Sequence, residues 1–150
     1  NLKSTHIYLP LIKQLKAEGH PVELIFFNDV PNKQLRFYQV QADIVVDMLT
    51  YGFFGANVRE ALMLGKPVVC YLRPEWVADL AKEMPEYAAE LPIVNATPAT
   101  VRDVLIDLIT HPEKRREIGA RSRAFAVKWH STEAGGARFD RIYGELLGRR

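Results

Sequence analysis

Between Ala42 and Val69 the chain leaves an apolar run, crosses a loop rich in glycine and aromatic residues, enters an amphipathic stretch and emerges into a second apolar run. Ala42-Asp43-Ile44-Val45-Val46-Asp47-Met48-Leu49 is short and rich in valine and isoleucine, as a buried parallel strand must be. Thr50-Tyr51-Gly52-Phe53-Phe54-Gly55 follows, and its two glycines allow backbone angles that other residues resist. Ala56 to Leu64 reads as a helix, which Gly65 closes and Pro67 keeps from continuing before Val68-Val69 opens the next strand. Strand, glycine loop, helix and strand in that order predict a βαβ unit. A loop of this kind delivers free N–H groups and the positive end of a helix dipole, a combination that suits an anionic phosphate. Gly55 with the N–H groups of Ala56 and Asn57 is therefore a candidate diphosphate cradle. Glu60, about one turn on, offers a carboxylate that can accept two hydrogen bonds from a vicinal diol.

Aligned on Glu60, this segment resembles the donor-binding signature of retaining glycosyltransferases of the GT-B fold, the family four or group 1 class. That signature runs Ala-Asp, an apolar strand, Glu-Gly-Phe-Gly, four residues, Glu-Ala-Met-Ala, then a Gly-x-Pro-Val-Val turn. Ala42-Asp43, Phe54-Gly55, Glu60-Ala61 and Gly65-Lys66-Pro67-Val68-Val69 fall in register. Gly52 stands where the family has its first Glu, beside the donor sugar. Lys3-Ser4-Thr5 is similar to the family's Lys-Gly-Thr segment, and Leu91 to Pro98 and Arg121 to His130 resemble later stretches of a bacterial branch. The resemblance implies Lys3 as the cation facing the donor diphosphate and Glu60 as the ribose ligand, the two residues it carries over as catalytic. It places Gly52, Phe54 and Gly55 in the nucleotide-sugar site. It also puts a base-packing loop after the strand Val22 to Phe27, where Asn28-Asp29-Val30-Pro31 stands, with Val30 or Pro31 touching the base. Asp47, near the ligand end of its strand, is a further candidate for a polar contact, while Asp43 lies near that strand's beginning.

The resemblance implies metal-free transfer from a nucleoside-diphosphate sugar, with no cofactor. Four histidines, His6, His20, His111 and His130, have no ligand-like spacing, in keeping with no metal site. With 150 residues the chain has the size of one domain and is too short for the two domains of a GT-B enzyme. The reading is thus a single nucleotide-sugar-binding domain over 1–150, a fragment lacking a preceding strand and the N-terminal acceptor domain, and inactive by itself. Twenty basic against 18 acidic residues give a net charge of +2, which argues against a nucleic-acid partner. Lys114, Arg115, Arg116, Arg121, Arg123 and Lys128 gather near the end, as a solvated helix face or a patch for an anionic membrane or an acidic partner. Cys70, the only cysteine, lies in an apolar run and fits a reducing, cytoplasmic setting, with the inner membrane face within reach of such a patch. No run approaches the ~20 apolar residues of a membrane span.

Outside the βαβ unit the pattern predicts a helix ended by Gly19, a strand over Val22 to Phe27, and a helix capped by Asn32 and running through Val40. It predicts a helix over Trp76 to Met84, a strand at Ile93-Val94, and a helix begun by Thr97 and Pro98 and reaching Thr110. Helices over Pro112 to Trp129 and Thr132 to Leu147 complete the chain. The fold class is α/β: a parallel, Rossmann-like sheet with helices on both faces, one half of a GT-B fold, and a helical C-terminal tail. Competing readings are a GT-B nucleotide-sugar epimerase or hydrolase half, a degenerate domain that has lost donor chemistry, and a flavodoxin-like interaction module. An NAD-binding domain is disfavoured because no G-x-G-x-x-G follows a strand.

Overall fold

The computed structural model describes residues 3–27 and 29–148. Its elements are α1 (Thr5–Ala17), α2 (Asn32–Gln39), β1 (Val45–Val46), α3 (Ala56–Met63), β2 (Val68–Cys70), α4 (Pro74–Glu83), α5 (Pro85–Glu90), β3 (Val94–Asn95), α6 (Val101–Thr110), α7 (Pro112–His130) and α8 (Thr132–Leu146). Three strands form one parallel sheet in the order β1-β2-β3, with Val45 opposite Val68, Val46 opposite Val69, and Val69 opposite Val94. The chain is therefore α/β with a small parallel sheet.

β2 is buried along its whole length because helices cover both faces. Alternation along the strand sends Val69 into a core with Ile12 and Leu15 of α1 and Leu105 and Leu108 of α6. It sends Val68 and Cys70 to the opposite side, among Val58, Ala61 and Leu62 of α3, Tyr87 of α5, and Phe125 and Ala126 of α7. Helix α3 ends as the sequence predicts. Gly65, at φ 69°, donates its N–H to Leu62 O at 2.9 Å, and Lys66 donates to Ala61 O at 3.0 Å, which satisfies the last carbonyls and turns the chain into β2. α7 then lies so close to this turn that a Cβ built on Gly119 would sit 2.4 Å from Gly65 O.

Four expectations need correction. Val22 to Phe27 forms no strand and pairs with none among the described residues, so its β propensity has no ladder to join. Pro31, not Asn32, occupies the N-cap position of α2, because its fixed φ of −55° already sets the helix entry and its carbonyl accepts the Gln34 N–H at 2.8 Å. α6 starts at Val101 rather than Pro98. A turn forms first, closed by Thr100 N–H on Thr97 O at 3.1 Å and by Thr97 N–H on Thr100 Oγ1 at 3.0 Å. The helix expected over Trp76 to Met84 begins at Pro74, and Pro85 opens a separate α5 because proline holds the preceding Met84 out of the helical region.

The helical tail follows the predicted spans. Ser131 caps α8 by accepting the Ala134 N–H at 3.1 Å. α8 buries none of its residues, and Phe139, Tyr143 and Leu146 stay largely exposed.

Candidate functional site

Asp47 follows β1 at its carboxyl end, where a parallel sheet opens its ligand crevice. The Asp47 side chain is 1% exposed and receives the Lys3 ammonium at 2.9 Å on Oδ1, while its other oxygen is buried without a protein partner. Lys3 itself is 55% exposed, so its free side still faces water or a ligand. Ser4 fixes the entry to α1 against the same strand end: its Oγ accepts the Leu49 N–H at 2.9 Å and lies 3.3 Å from Thr50 Oγ1. Ser4 holds φ at 56°, in the left-handed region, where the Lys-Gly-Thr pattern it resembles has a glycine. Thus Lys3 and Asp47, separated by 44 residues, form one corner.

The loop from Leu49 to Gly55 crosses the carboxyl ends of β1 and β2. Its turning point is Gly52, buried and at φ 97°, which only glycine adopts without strain. The Gly52 carbonyl accepts the Arg73 N–H at 2.9 Å, and a Cβ at Gly52 would meet the Arg73 side chain at 3.0 Å. These two constraints explain the glycine physically. A glutamate here would have to hold a left-handed backbone and displace Arg73.

Gly55 is different from what the loop pattern suggests. It lies at φ −104° and ψ −166°, extended backbone open to any residue, and a Cβ there would meet only Met48 Cε at 4.0 Å. What Gly55 contributes is room rather than conformation. As the N-cap of α3 it supplies no side-chain cap, so the first N–H groups of the helix, those of Ala56 and Asn57 included, carry no side-chain partner. The Asn57 Oδ1 accepts Gln39 Nε2 at 2.6 Å, tying α3's first turn to α2, and Gln39 Oε1 is left buried and unpaired. Glu60 is exposed and makes no hydrogen bond or ion pair with the described residues. Its carboxylate is available to a ligand.

Aromatic packing stabilises the loop from outside. Phe54 meets Trp76 edge-on at 5.7 Å, and Phe53 stacks on the same ring at 6.5 Å. Phe54 is thus partly committed to the core around α3. Val30 is half-buried and Pro31 exposed at the start of α2; Asn28 lies outside the described residues. Along the axis of α2, Pro31 lies about 12 Å from Gln39.

A cleft of about 890 Å³ opens beside β1, between segment 22–27, α1 and α2. Lys3, Asp47 and Asn57 line it, whereas Gly52, Phe54, Gly55, Ala56 and Glu60 lie outside its walls. Asp43, too, lines the cleft. The candidate residues therefore fall into two groups, one in the cleft and one on the loop and α3.

Burial pushes the Cys70 thiol up to about 12, with the Asp47 charge adding to the effect. Its Sγ donates to Met48 O at 3.3 Å, so this cysteine is an inert core residue. The basic run of α7 is not a single open patch. Lys114 pairs with Asp107 at 2.5 Å, Lys128 with Glu86 and Glu90 at 2.6 Å each, and Arg115 donates to Leu108 O at 2.6 Å, while Arg123 donates to Met63 O. Carboxylates of α5 and α6 thus pair with Lys114 and Lys128, while Arg115 and Arg123 keep their charge against backbone carbonyls. Among the described residues there is no group of His, Cys, Asp or Glu placed to hold a metal ion, and no helix long and apolar enough to cross a membrane.

Sequence reasoning missed Ser4, Arg73 and Gln39. Ser4 carries a signal, since it occupies the glycine position of Lys-Gly-Thr. Arg73 and Gln39 carry none, because their roles arise from contacts with Gly52 and Asn57 made only on folding. Comparison of the chain with protein-family models, curated proteins and solved structures finds no match.

Proposed function

We propose that this chain is a Rossmann-like nucleotide-sugar-binding domain, the donor half of a retaining GT-B glycosyltransferase that builds a surface polysaccharide or another glycan. One observation carries the reading: Glu60, a carboxylate unpaired among the described residues, stands one turn into α3, whose side-chain-free N-terminus lies at the carboxyl end of a parallel sheet. Those N–H groups suit a diphosphate and the carboxylate suits a ribose diol. In the transfer step the bond between the anomeric carbon and the diphosphate oxygen breaks as an acceptor hydroxyl oxygen bonds to that carbon and its proton passes to the leaving diphosphate; the sugar develops oxocarbenium character on the way, and negative charge grows on the diphosphate. Helix N–H groups and the exposed side of the Lys3 ammonium stabilise that charge without a metal. Lys3 is a weakened cation for this purpose, because Asp47 already holds one face of it. An acceptor domain completes the site, and a cytoplasmic setting belongs to the same proposal.

Isothermal calorimetry with uridine, guanosine and adenosine diphosphates tests the reading. The expected result is binding of one of them that survives a chelator, weakens by about 1–3 kcal/mol in Glu60→Ala, and weakens equally for wild-type protein offered the 2′,3′-dideoxy nucleotide. No binding of any nucleotide, or indifference to both changes, refutes it.

A further inference from the structure

α8 is a helix that its own sequence and surroundings do little to hold. It spans 15 residues, a length at which an isolated helix is marginal in water, and it contains Gly135, Gly136 and Gly144, glycine being the poorest helix former after proline. Its main neighbour is α7. That contact takes up the side of α8 on which Ala134, Ala137 and Arg141 stand, near Trp129 and Lys128. With about 3.6 residues per turn, the opposite side carries Gly135, Phe139, Ile142 and Leu146 in one row, with Gly136 and Tyr143 alongside. Phe139, Ile142, Tyr143 and Leu146 are between 41% and 76% exposed, and the Phe139 and Tyr143 rings stack on one another at 6.4 Å. A Cβ on Gly135 or Gly136 would meet nothing within 4 Å, so no contact inside the chain calls for either glycine.

We infer that this face of α8 binds a second copy of the chain, the two α8 helices packing antiparallel about a two-fold axis that passes between Asp140 and Arg141. The row is complementary to itself in that register alone. Leu146 then lies over the partner's Gly135, Tyr143 over the partner's Gly136, and Phe139 against the partner's Ile142, each contact occurring twice by symmetry. On the flank of the row, Arg138 meets the partner's Glu145. Both residues are exposed and neither makes a hydrogen bond or ion pair among the described residues. A parallel pair would instead set Gly135 on Gly135 and leave both charges unanswered. The area is sufficient. The four large side chains offer roughly 450 Å² of exposed apolar surface per copy, or about 900 Å² for the pair, and at the ~65% apolar share of homodimer interfaces that corresponds to about 1,400 Å² in all, within the range of stable complexes. The rest of each chain stands at opposite ends of a helix pair about 22 Å long, clear of its partner. This inference does not depend on nucleotide binding.

Sedimentation equilibrium of the 150-residue chain tests this with two charge reversals, Arg138→Glu and Glu145→Arg. The unaltered chain is expected to dimerise with a dissociation constant in the micromolar range or below. Each reversal sets like charges face to face twice in its own dimer and is expected to weaken it about 10-fold. Mixing the two variants restores both opposite-charge contacts, so the mixture is expected to form a heterodimer as tight as the unaltered dimer. Leu146→Asp, which places a charge over the partner's Gly135, is expected to abolish association. A chain still monomeric at about 1 mM overturns the inference, and if it then binds phosphatidylserine vesicles the face belongs to a membrane surface instead. A dimer that survives Leu146→Asp lies elsewhere on the molecule and overturns it too. So does equal association of the two reversal variants and their mixture, since the antiparallel register requires them to differ.

Discussion

Gly119→Ala isolates the contact that sets the α3–α7 spacing, and with it the position of the helix that carries Glu60. In a helix interior glycine is normally a weak point, and replacing it by alanine gains about 1 kcal/mol. Here the new methyl would lie 2.4 Å from Gly65 O, where ordinary contacts begin at 3.4 Å. The carbonyl cannot swing aside. Hydrogen bonds from Gly65 to Leu62 O and from Lys66 to Ala61 O hold the turn, and Pro67 follows. Relief therefore requires α7 to retreat from α3 by about 1 Å, loosening Ile118, Phe125 and Ala126 against the core. Overpacking of this kind costs about 1–3 kcal/mol and often more against rigid backbone, so the net expectation is a loss of about 2 kcal/mol, or ~4–8 °C in a chain of this length. Urea and thermal unfolding measure it. Ala120→Gly, one residue along on the exposed side of α7, calibrates the propensity by losing about 1 kcal/mol. If Gly119→Ala instead gains what Ala120→Gly loses, the close approach of α7 to Gly65 is wrong.

Gly52→Ala is expected to lose about 1–2 kcal/mol from its left-handed backbone alone, and Gly52→Glu more because Arg73 must also move; equal stability of all three proteins by urea unfolding refutes the strained turn. At Gly55, where backbone is extended and space is open, Ala and Val variants should keep their melting temperature within about 2 °C, while Val reduces nucleotide affinity by crowding the start of α3; a large stability loss in Gly55→Ala contradicts the open geometry. Lys3→Met leaves the buried Asp47 carboxylate without its cation and should destabilise by about 1–3 kcal/mol, less than for a fully buried pair because Lys3 is 55% exposed, and adding Asp47→Asn should recover part of the loss; additive losses break the coupling. Burial first, then the charges of Arg59 and Arg138, holds the His130 pKa below its ordinary 6.5. As pH falls the unfolded chain takes up that proton first, so this stability is complete above about pH 6.5 and is lost as pH drops through the folded value. A Tm that declines from pH 7 to pH 5 in the wild type and declines less in His130→Phe is the expected signature.

What could be read from the sequence was local. Gly65 closing α3 and Pro67 guarding β2 act on groups within a few residues, so their type and spacing suffice. The alternation of Val68, Val69 and Cys70 between two cores follows from the period of a strand, and the α/β class follows from that pattern repeated. Segment 22–27 shows the limit. Its apolar, partly β-branched composition predicts a strand, but a strand is a relation between two segments, and nothing within six residues specifies the second. The basic run of α7 shows the same limit, since the partners of Lys114 and Lys128, Asp107 with Glu86 and Glu90, lie 7 to 42 positions away along the chain.

Gly52 and Lys3 carry this distinction into the candidate site. Counted along the chain, Gly52 is a deviation eight residues before Glu60, and Lys3 is an exposed cation near one end. Folding changes the meaning of both. Arg73 closes over Gly52, so the glycine is the residue the loop geometry demands, and its presence says nothing by itself about lost donor chemistry. Asp47 takes one face of Lys3, so the same lysine is part of the packing at the strand end as well as a candidate cation. A degenerate domain and a rearranged donor pocket therefore make different predictions at Glu60, whose carboxylate has no structural partner among the described residues to keep it in place. If Glu60→Ala changes neither stability nor nucleotide affinity, the residue on which the glycosyltransferase reading turns has no ligand to hold.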